Sequence, residues 1–490
     1  MEKIPTFILA LPSALLFWFL WQIIRLTWAP NARLPGPWHT KYTGAVKVYK
    51  IMNGSGAAWV NDLHRKYGRI VRLSPTEVDF SSVSALKTIH NYRKPFMKSD
   101  FYKIFDFIPD VSSVLSTRTP GTHGRFRRLL SGPTSESSVK LVEHIVQAKL
   151  DLTIQRMEEE MKAQGFVDVL KWHHFMATDV SGHLSFGESF QMLEQQKKNQ
   201  YIRDLEATSH LAGVMQFIPW LFFASKKYGL PIFRESHAIN ARLYSYAEES
   251  LYRHKRMQAA EPQTFQPTFF TKLLQAGEKD GDTITFEEII QNAQLFIIAG
   301  SDTTAHTLTY LVWQLSRTEN RDIRQRLLTE LATLPKDFAN DDLKPLPYLN
   351  CVISETLRLH AAAPDGLPRA VPAGGAEVDG VFLPEGSVAI TQPWSMHRDP
   401  EVFPDPERFQ PSRWENPTKD MKDSFSAFGN GPRTCLGIHL AYMELRLGTA
   451  KFFLKFPESK IANGFEDKDM DMQVSFVMSP KSHKCLLELS

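Results

Sequence analysis

From Phe7 to Ile24 the chain runs FILALPSALLFWFLWQII, 18 residues without one charged side chain. Coiled as a helix, such a run is roughly 27 Å long, about the hydrocarbon thickness of a thin bilayer. Trp18, Trp21 and Trp28 gather toward its end, as aromatics do at a membrane interface, and Pro12 is tolerated in membrane helices. A cleaved leader would want a positive start and a small-residue cleavage site. Here the start carries Glu2 beside Lys3, and the exit reads Arg25-Leu26-Thr27-Trp28-Ala29-Pro30. The expectation is a retained transmembrane anchor over residues 7–24, behind a short lumenal tail of residues 1–6. Arg25, Arg33 and Lys41 follow the span and put the body on the cytosolic side.

Pro30, Pro35, Gly36 and Pro37 then make a stiff elbow, a proline-rich hinge over residues 25–40 that leads to a body over residues 41–490. In the body, residues 56–67 carry a helical pattern. Residues 69–73 and 77–80 alternate around a Ser-Pro turn and predict a hairpin, and a short helix follows around residues 82–90. Most of residues 136–314 read as helix, and strand-like patterns return near residues 369–390 and 473–480. The predicted class is mainly α with small β-sheets at one side. The apolar run Phe217-Ile218-Pro219-Trp220-Leu221-Phe222-Phe223 is either core or a second membrane contact.

Residues 286–316 contain no proline and predict one long helix, 31 residues or roughly 46 Å. Thr285 and Glu288 have capping-box spacing at its start. Its middle, Ala299-Gly300-Ser301-Asp302-Thr303-Thr304, puts an acid, a glycine and three hydroxyls into an apolar stretch. A buried Asp is costly without partners. One reading is the surface stripe of a bent helix whose hydroxyls bond back to i−4 carbonyls. The other is a helix locally loosened beside a cofactor, with Gly300 leaving space.

Composition changes little. Hydrophobic residues at 43% and charged residues at 23% are ordinary for a globular chain, and a net charge of +3 over 490 residues gives no case for nucleic acid. The three cysteines, Cys351, Cys435 and Cys485, are odd in number and far apart, which is no disulfide framework. Cys435 stands out. It lies in Phe428-Gly429-Asn430-Gly431-Pro432-Arg433-Thr434-Cys435-Leu436-Gly437, just before a breaker-free helical stretch. Backbone N–H groups and the helix dipole favour a thiolate there. Gly429 and Gly431 permit unusual backbone angles, Gly437 lets a flat group approach, and Arg433 can pair with a carboxylate. These parts describe a seat for an iron porphyrin with a thiolate ligand. Zinc on Cys435 and His439 would need a second ligand cluster, and none lies nearby.

The whole ten-residue pattern resembles the haem-binding loop of the cytochrome P-450 family. Three more motifs follow the family's order. The acid-threonine pair Asp302-Thr303 is similar to its oxygen-activation motif and implies proton delivery. Glu355-Thr356-Leu357-Arg358 resembles its Glu-x-x-Arg helix, with Arg408 of Asp405-Pro406-Glu407-Arg408-Phe409 as the expected third member of a structural network. His123-Gly124-Arg125-Phe126-Arg127 resembles its third-helix motif, with His123 where many members have Trp. There the resemblance implies His123 and Arg127 as propionate partners, joined by Arg369 and Arg433, with Phe428 and Gly437 beside the haem. His397-Arg398-Asp399-Pro400 is similar to the segment preceding the Pro-Glu-Arg-Phe run.

The resemblance implies the cytochrome P-450 fold and a microsomal monooxygenase with haem b (iron protoporphyrin IX) ligated by Cys435. It uses dioxygen and NADPH-derived electrons. No flavin or nicotinamide domain fits in the chain, so the implied donors are a membrane-bound NADPH-cytochrome P-450 reductase and cytochrome b5, and the implied place is the endoplasmic reticulum membrane. Arg125, Arg128, Arg446 and Lys451 are candidates for the docking face. By family position the substrate pocket takes Phe107, Ile108, Phe296, Ala299, Ala363, Pro364, Gly366 and Phe476, mostly apolar, which implies a hydrophobic substrate. The Leu34-Pro35-Gly36-Pro37-Trp38 and residue 366–372 patterns look most like fungal enzymes of secondary metabolism, acting on polyketide, terpenoid or alkaloid intermediates by hydroxylation or desaturation. The alternative is a haem-thiolate isomerase or dehydratase that uses no dioxygen. Such relatives often lose the acid-threonine pair, which is present here.

Overall fold

The computed structural model describes residues 17, 20–93, 96–106, 108, 110–205, 207, 224–225, 227–260, 268–271, 273–274 and 284–490. Most of the anchor expected over residues 7–24, the apolar run at 217–223, and Phe107 lie outside these. Residues 20–27 are helical. Among the described residues no helix is long and apolar enough to cross a membrane.

The body is mainly helical, with small sheets, as the patterning predicts. Its axis is the helix Phe286–Ser316. Thr285 Oγ1 accepts the Glu288 N–H at 3.2 Å, and the Glu288 carboxylate accepts the Thr285 N–H at 3.0 Å, so two otherwise unpaired donors are satisfied. The helix runs unbroken through residues 299–304, so of the two readings of this stretch the back-bonded one matches and the loosened one does not. The hydroxyls of Ser301, Thr303 and Thr307 donate to the carbonyls one turn back, at 2.7, 2.6 and 2.8 Å. These bonds satisfy the hydroxyls inside the helix without breaking it.

The long helix is wedged between the helices Val169–Phe186 and Ile438–Lys455. Gly300 serves the first contact. A Cβ there would come within 2.4 Å of Ser181 Oγ, so the missing side chain makes room for a neighbouring helix rather than for a cofactor. On the other side a Cβ on Gly448 would meet Leu308 at 2.8 Å, and the Thr304 hydroxyl donates to the buried Glu444 carboxyl at 3.0 Å.

A five-stranded sheet closes one side. Its order is Ile70–Arg72, Glu77–Phe80, Val388–Ile390, Arg369–Ala370 and Met97–Lys98. The first two strands form the predicted hairpin, with Val71 opposite Asp79. The proline-rich elbow is fastened to this sheet by buried Arg72. Its guanidinium donates to the carbonyls of Asn31, Ala32, Leu34 and Pro37 and to the Thr40 hydroxyl. Gly36 is required at the contact, because at φ 152° a Cβ would meet the Arg72 carbonyl at 2.7 Å.

Candidate active site

The cysteine loop is a series of tight turns. Gly429 and Gly431 have φ of 70° and 67°, in the left-handed region, and a Cβ on Gly431 would lie 2.0 Å from the His90 carbonyl. The Gly429 N–H donates to the Ser426 carbonyl and the Cys435 N–H to the Phe428 carbonyl, both at 2.9 Å. Cys435 is exposed, whereas Cys351 and Cys485 are buried. Although the residue is open to solvent on one side, the loop packed against the sulfur desolvates it and pushes the Cys435 thiol up, against the pull of the Gly437 N–H and Arg127. A cation at the sulfur would reverse that balance, since a coordinated thiol is deprotonated outright. Around Gly437 the nearest atom to an added Cβ is Cys435 Sγ itself, at 3.9 Å, so the first turn of the next helix is open to a flat group.

Behind the loop stands a buried ion-pair network. Both Glu355 oxygens accept from Arg358, each at 2.8 Å. Arg358 also donates to the carbonyls of His397 and Pro406. The third arm is Arg413, whose Nε donates to Glu355 at 3.0 Å, with the Trp414 indole N–H at 2.9 Å and the Gln410 N–H at 2.8 Å. This corrects the expectation for Arg408, whose side chain is exposed and which contributes only its carbonyl. With every polar atom of the carboxylate engaged, the desolvation cost of the buried pair is offset. His397 ties the network to the loop. Its Nδ1–H donates to the Arg358 carbonyl, and its Nε2 accepts the Ser426 N–H, each at 2.9 Å. That geometry needs a neutral ring, and burial pushes its pKa down to about 3.

On the other side of the loop, cations gather. Arg127 Nη1 donates to the Thr434 carbonyl at 2.5 Å, and Arg433 Nη1 to the Thr117 carbonyl at 3.1 Å. Burial pushes Arg433 down to about 10, and Arg369 and Arg127 add to this against Tyr102. His123 falls to about 3, first through burial and then through Arg433, Lys98, Arg127 and Arg369. Lys98 and Tyr102 belong to the same cluster, and the motifs missed both. Lys98 is buried, pushed well below its ordinary value by burial and then by Arg369 and Arg433, and its ammonium lies 4.4 Å from the Tyr102 ring. The Tyr102 hydroxyl and Arg369 Nε are buried and have no partner. Among the described residues no carboxylate pairs with Lys98, Arg127, Arg369 or Arg433. Buried cations without counter-charges describe a place for an anionic group. An exposed thiol, an open glycine face and this cluster fit a flat iron ligand with two carboxylates.

On the long helix, Phe296, Ala299 and Thr303 share one face. Ala299 is exposed, and Phe296 packs edge-on against Phe270 at 5.4 Å. Asp302 points away from that face to His174, 2.9 Å from its Oδ1. Burial pushes the Asp302 carboxyl up, but the His174 hydrogen bond, with the nearby imidazoles of His174 and His306 and the more distant Lys198, brings it below the usual range.

Of the expected pocket residues, Phe476 packs with its ring tilted against Phe105 at 4.7 Å and Phe101 at 6.2 Å, an aromatic group that the motifs did not show. The Ile108 N–H donates to Gln291 Oε1 at 3.0 Å, while Gln291 Nε2 donates to the Phe105 carbonyl at 2.8 Å. Asn292 accepts the Val114 N–H at 2.9 Å. Two adjacent buried amides of the long helix thus hold the 105–114 segment by its backbone. Ala363 is half-buried and Pro364 buried. Gly366 turns to the sheet instead, because a Cβ there would meet Ile390 at 2.1 Å. Of the basic residues proposed for docking, Arg125 pairs with Glu288, Lys451 with Asp151, and Arg446 donates to Asn350, which leaves Arg128 exposed.

Comparison with known proteins agrees with this geometry. The family model "Cytochrome P450" matches residues 35–487. The cytochrome P450 monooxygenase tazI of Aspergillus terreus is 43% identical, over 97% of this chain and 97% of the relative. The cytochrome P450 monooxygenase orf2 of Aspergillus niger is 38% identical over 100% and 99%. The cytochrome P450 monooxygenase aflV of Aspergillus parasiticus is 32% identical over 96% and 94%.

Proposed function

Because the chain belongs to the cytochrome P450 family and is a haem-thiolate monooxygenase, we propose that it oxidises a hydrophobic intermediate of fungal secondary metabolism, a polyketide, terpenoid or alkaloid. The observation that carries the haem site is the cation cluster without a carboxylate, set around the cysteine loop. Cys435 would ligate the iron, and Arg127, Arg369, Arg433 and His123, with Lys98 and Tyr102, would hold the propionates. When bound, the haem uses dioxygen and two electrons to put one oxygen atom into an unactivated bond.

The chain's own residues do the rest. Phe296, Ala299 and the Phe101–Phe105–Phe476 group offer apolar surface that orients a hydrophobic molecule and excludes water. The Gln291 and Asn292 amides fix the segment above it. Thr303 and Asp302 move protons toward the site. The electrons come from an NADPH-cytochrome P-450 reductase, with cytochrome b5 as a second donor. The enzyme is held at the endoplasmic reticulum membrane by residues 7–24, with its body in the cytosol. The exposed Trp21, Ile24, Trp28, Trp38, Tyr49 and Met52 around the elbow support a lipid-facing surface there.

A reduced carbon monoxide spectrum tests the thiolate site: a red-shifted band in the wild type, lost in Cys435→Ala, is expected. Deletion of the gene should cause the substrate to accumulate. That metabolite, given to the membrane fraction with NADPH and oxygen, should be converted with oxygen consumption. Conversion without oxygen would instead favour an isomerase or dehydratase.

A further inference from the structure

Asp302 has a partner that can itself carry a proton. Its Oδ1 lies 2.9 Å from His174 Nε2, and His174 sits in the middle of the neighbouring helix Val169–Phe186. The bonded partner of Asp302 is His174, and Lys198 acts on the carboxylate by its charge. A permanent cation would hold the carboxylate charged and could pass nothing on. An imidazole changes charge across physiological pH and both donates and accepts protons. The His174 side chain is 14% exposed and that of Asp302 33%, so the pair is partly sheltered but not sealed. His306, one turn along the long helix from Asp302, has a buried Nδ1 without a partner. Burial pushes it down to about 4, against the pull of Asp302. It therefore stays neutral and does not compete with His174 for the proton. The other charged groups that act on this pair are Lys198, on Asp302, and His483, on His306. Thr303, next to Asp302, lies on the face that carries Phe296 and Ala299.

We propose that His174 is the proton port of this enzyme, taking protons from solvent and passing them to Asp302. The proposal rests on the monooxygenase reading. The step balances: the imidazolium Nε2–H gives its proton to the Asp302 carboxylate, leaving a neutral ring and a carboxylic acid. To release that proton Asp302 must turn from His174 toward the face that carries Thr303, which restores the carboxylate, and the ring recovers a proton from water. Because His174 acts through Asp302, it is a positioning and relay residue rather than one that meets the substrate.

The test uses the holoenzyme in its reductase system, without added substrate, so that no unknown molecule is needed. His174→Gln keeps a hydrogen-bonding side chain but cannot titrate. The reduced carbon monoxide band is read first. If wild type and variant both lack it, the monooxygenase reading fails, and the port is not the cause. With the band intact, wild-type oxygen uptake should depend on pH through the His174–Asp302 pair. The variant should lose that dependence, take up oxygen about tenfold more slowly near pH 6, release a larger share as hydrogen peroxide, and show a larger solvent deuterium effect. A wild-type pH profile and isotope effect in the variant would overturn the proposal. A second readout is independent of turnover. The Asp302 carboxyl stretch, identified by infrared difference against Asp302→Asn, should titrate at higher pH in His174→Gln. An unmoved titration would also overturn it. If His174→Gln does not fold, His174→Asn is read by the same infrared titration, with the same two outcomes.

Discussion

Lys98 and Arg369 are direct partners across the antiparallel pair Met97–Lys98 and Arg369–Ala370, so two buried cations face each other in one rung of the sheet. Like charges opposite each other destabilise a strand pair, and a buried charge without a partner is costly. The rung makes sense as half of a site completed by carboxylates. Lys98→Met should therefore have opposite effects in the two forms of the protein. The haem-free form should gain stability, by about 1–4 kcal/mol, as seen in denaturant unfolding. The holoenzyme should release haem to apomyoglobin faster, by about 10–100-fold on the scale of supporting contacts around a metal.

The Glu355 network separates two arginines five residues apart. Arg413 donates to a fully buried carboxylate, while Arg408 is exposed. Arg413→Ala leaves Glu355 short of a charge partner and should cost about 3–5 kcal/mol. Arg408→Ala keeps its carbonyl in the network and should stay within about 0.5 kcal/mol of wild type. Thermal unfolding of the two variants side by side checks this. Equal losses would return the third arm to Arg408.

Acid should destabilise the fold through histidines that are buried neutral. His173 and His397 are fully buried and neutral, each held at about 3, His173 by burial alone. In the unfolded chain they titrate near pH 6.5. Their folded values are depressed, so the stability they contribute is fully present above pH 6.5 and declines as pH falls toward 3. Each contributes a slope of about 1.4 kcal/mol per pH unit in that window. Denaturant unfolding between pH 6.5 and 5 should show the proton uptake, and His173→Leu should remove one proton from the slope.

How far the sequence could be read depended on whether a signal was local. The long helix was legible to the residue because its cap, its lack of proline and its apolar run all lie within it. The cysteine loop was legible because its glycines and its cysteine are adjacent. Glu355 and Arg358 were legible from their three-residue spacing. Arg413 was not, since its approach to Glu355 depends on how the turn after residue 405 closes. Lys98 lies in a strand of two residues with no period to detect, and only the sheet register brings it to Arg369. The surroundings of Gly300 and Gly366 were hidden for a related reason. A missing side chain says that something comes close, and only the packing says that it is Ser181 or Ile390.

Gln291 has the same non-local character, and it yields a prediction about selectivity. Its amide bonds in both directions to the segment above the site, to the Ile108 N–H and the Phe105 carbonyl. Gln291→Leu, of similar bulk, leaves both backbone groups without that partner, at about 1–3 kcal/mol each if they stay buried. Opening the segment to water avoids that cost, so the loss should appear as motion rather than global unfolding. Amide hydrogen exchange should rise in residues 100–116 and remain low in the helix Ile438–Lys455. Cys435 and the cation cluster are untouched, so the carbon monoxide band should persist. Phe105 carries the ring that packs against Phe476, and a freed segment should let that aromatic group spread. The expected result is weaker binding of hydrophobic ligands, read from the optical shift on titration, with less discrimination among them. A variant that binds as wild type, with unchanged exchange at residues 100–116, would show that the Gln291 bonds do not set the position of this segment.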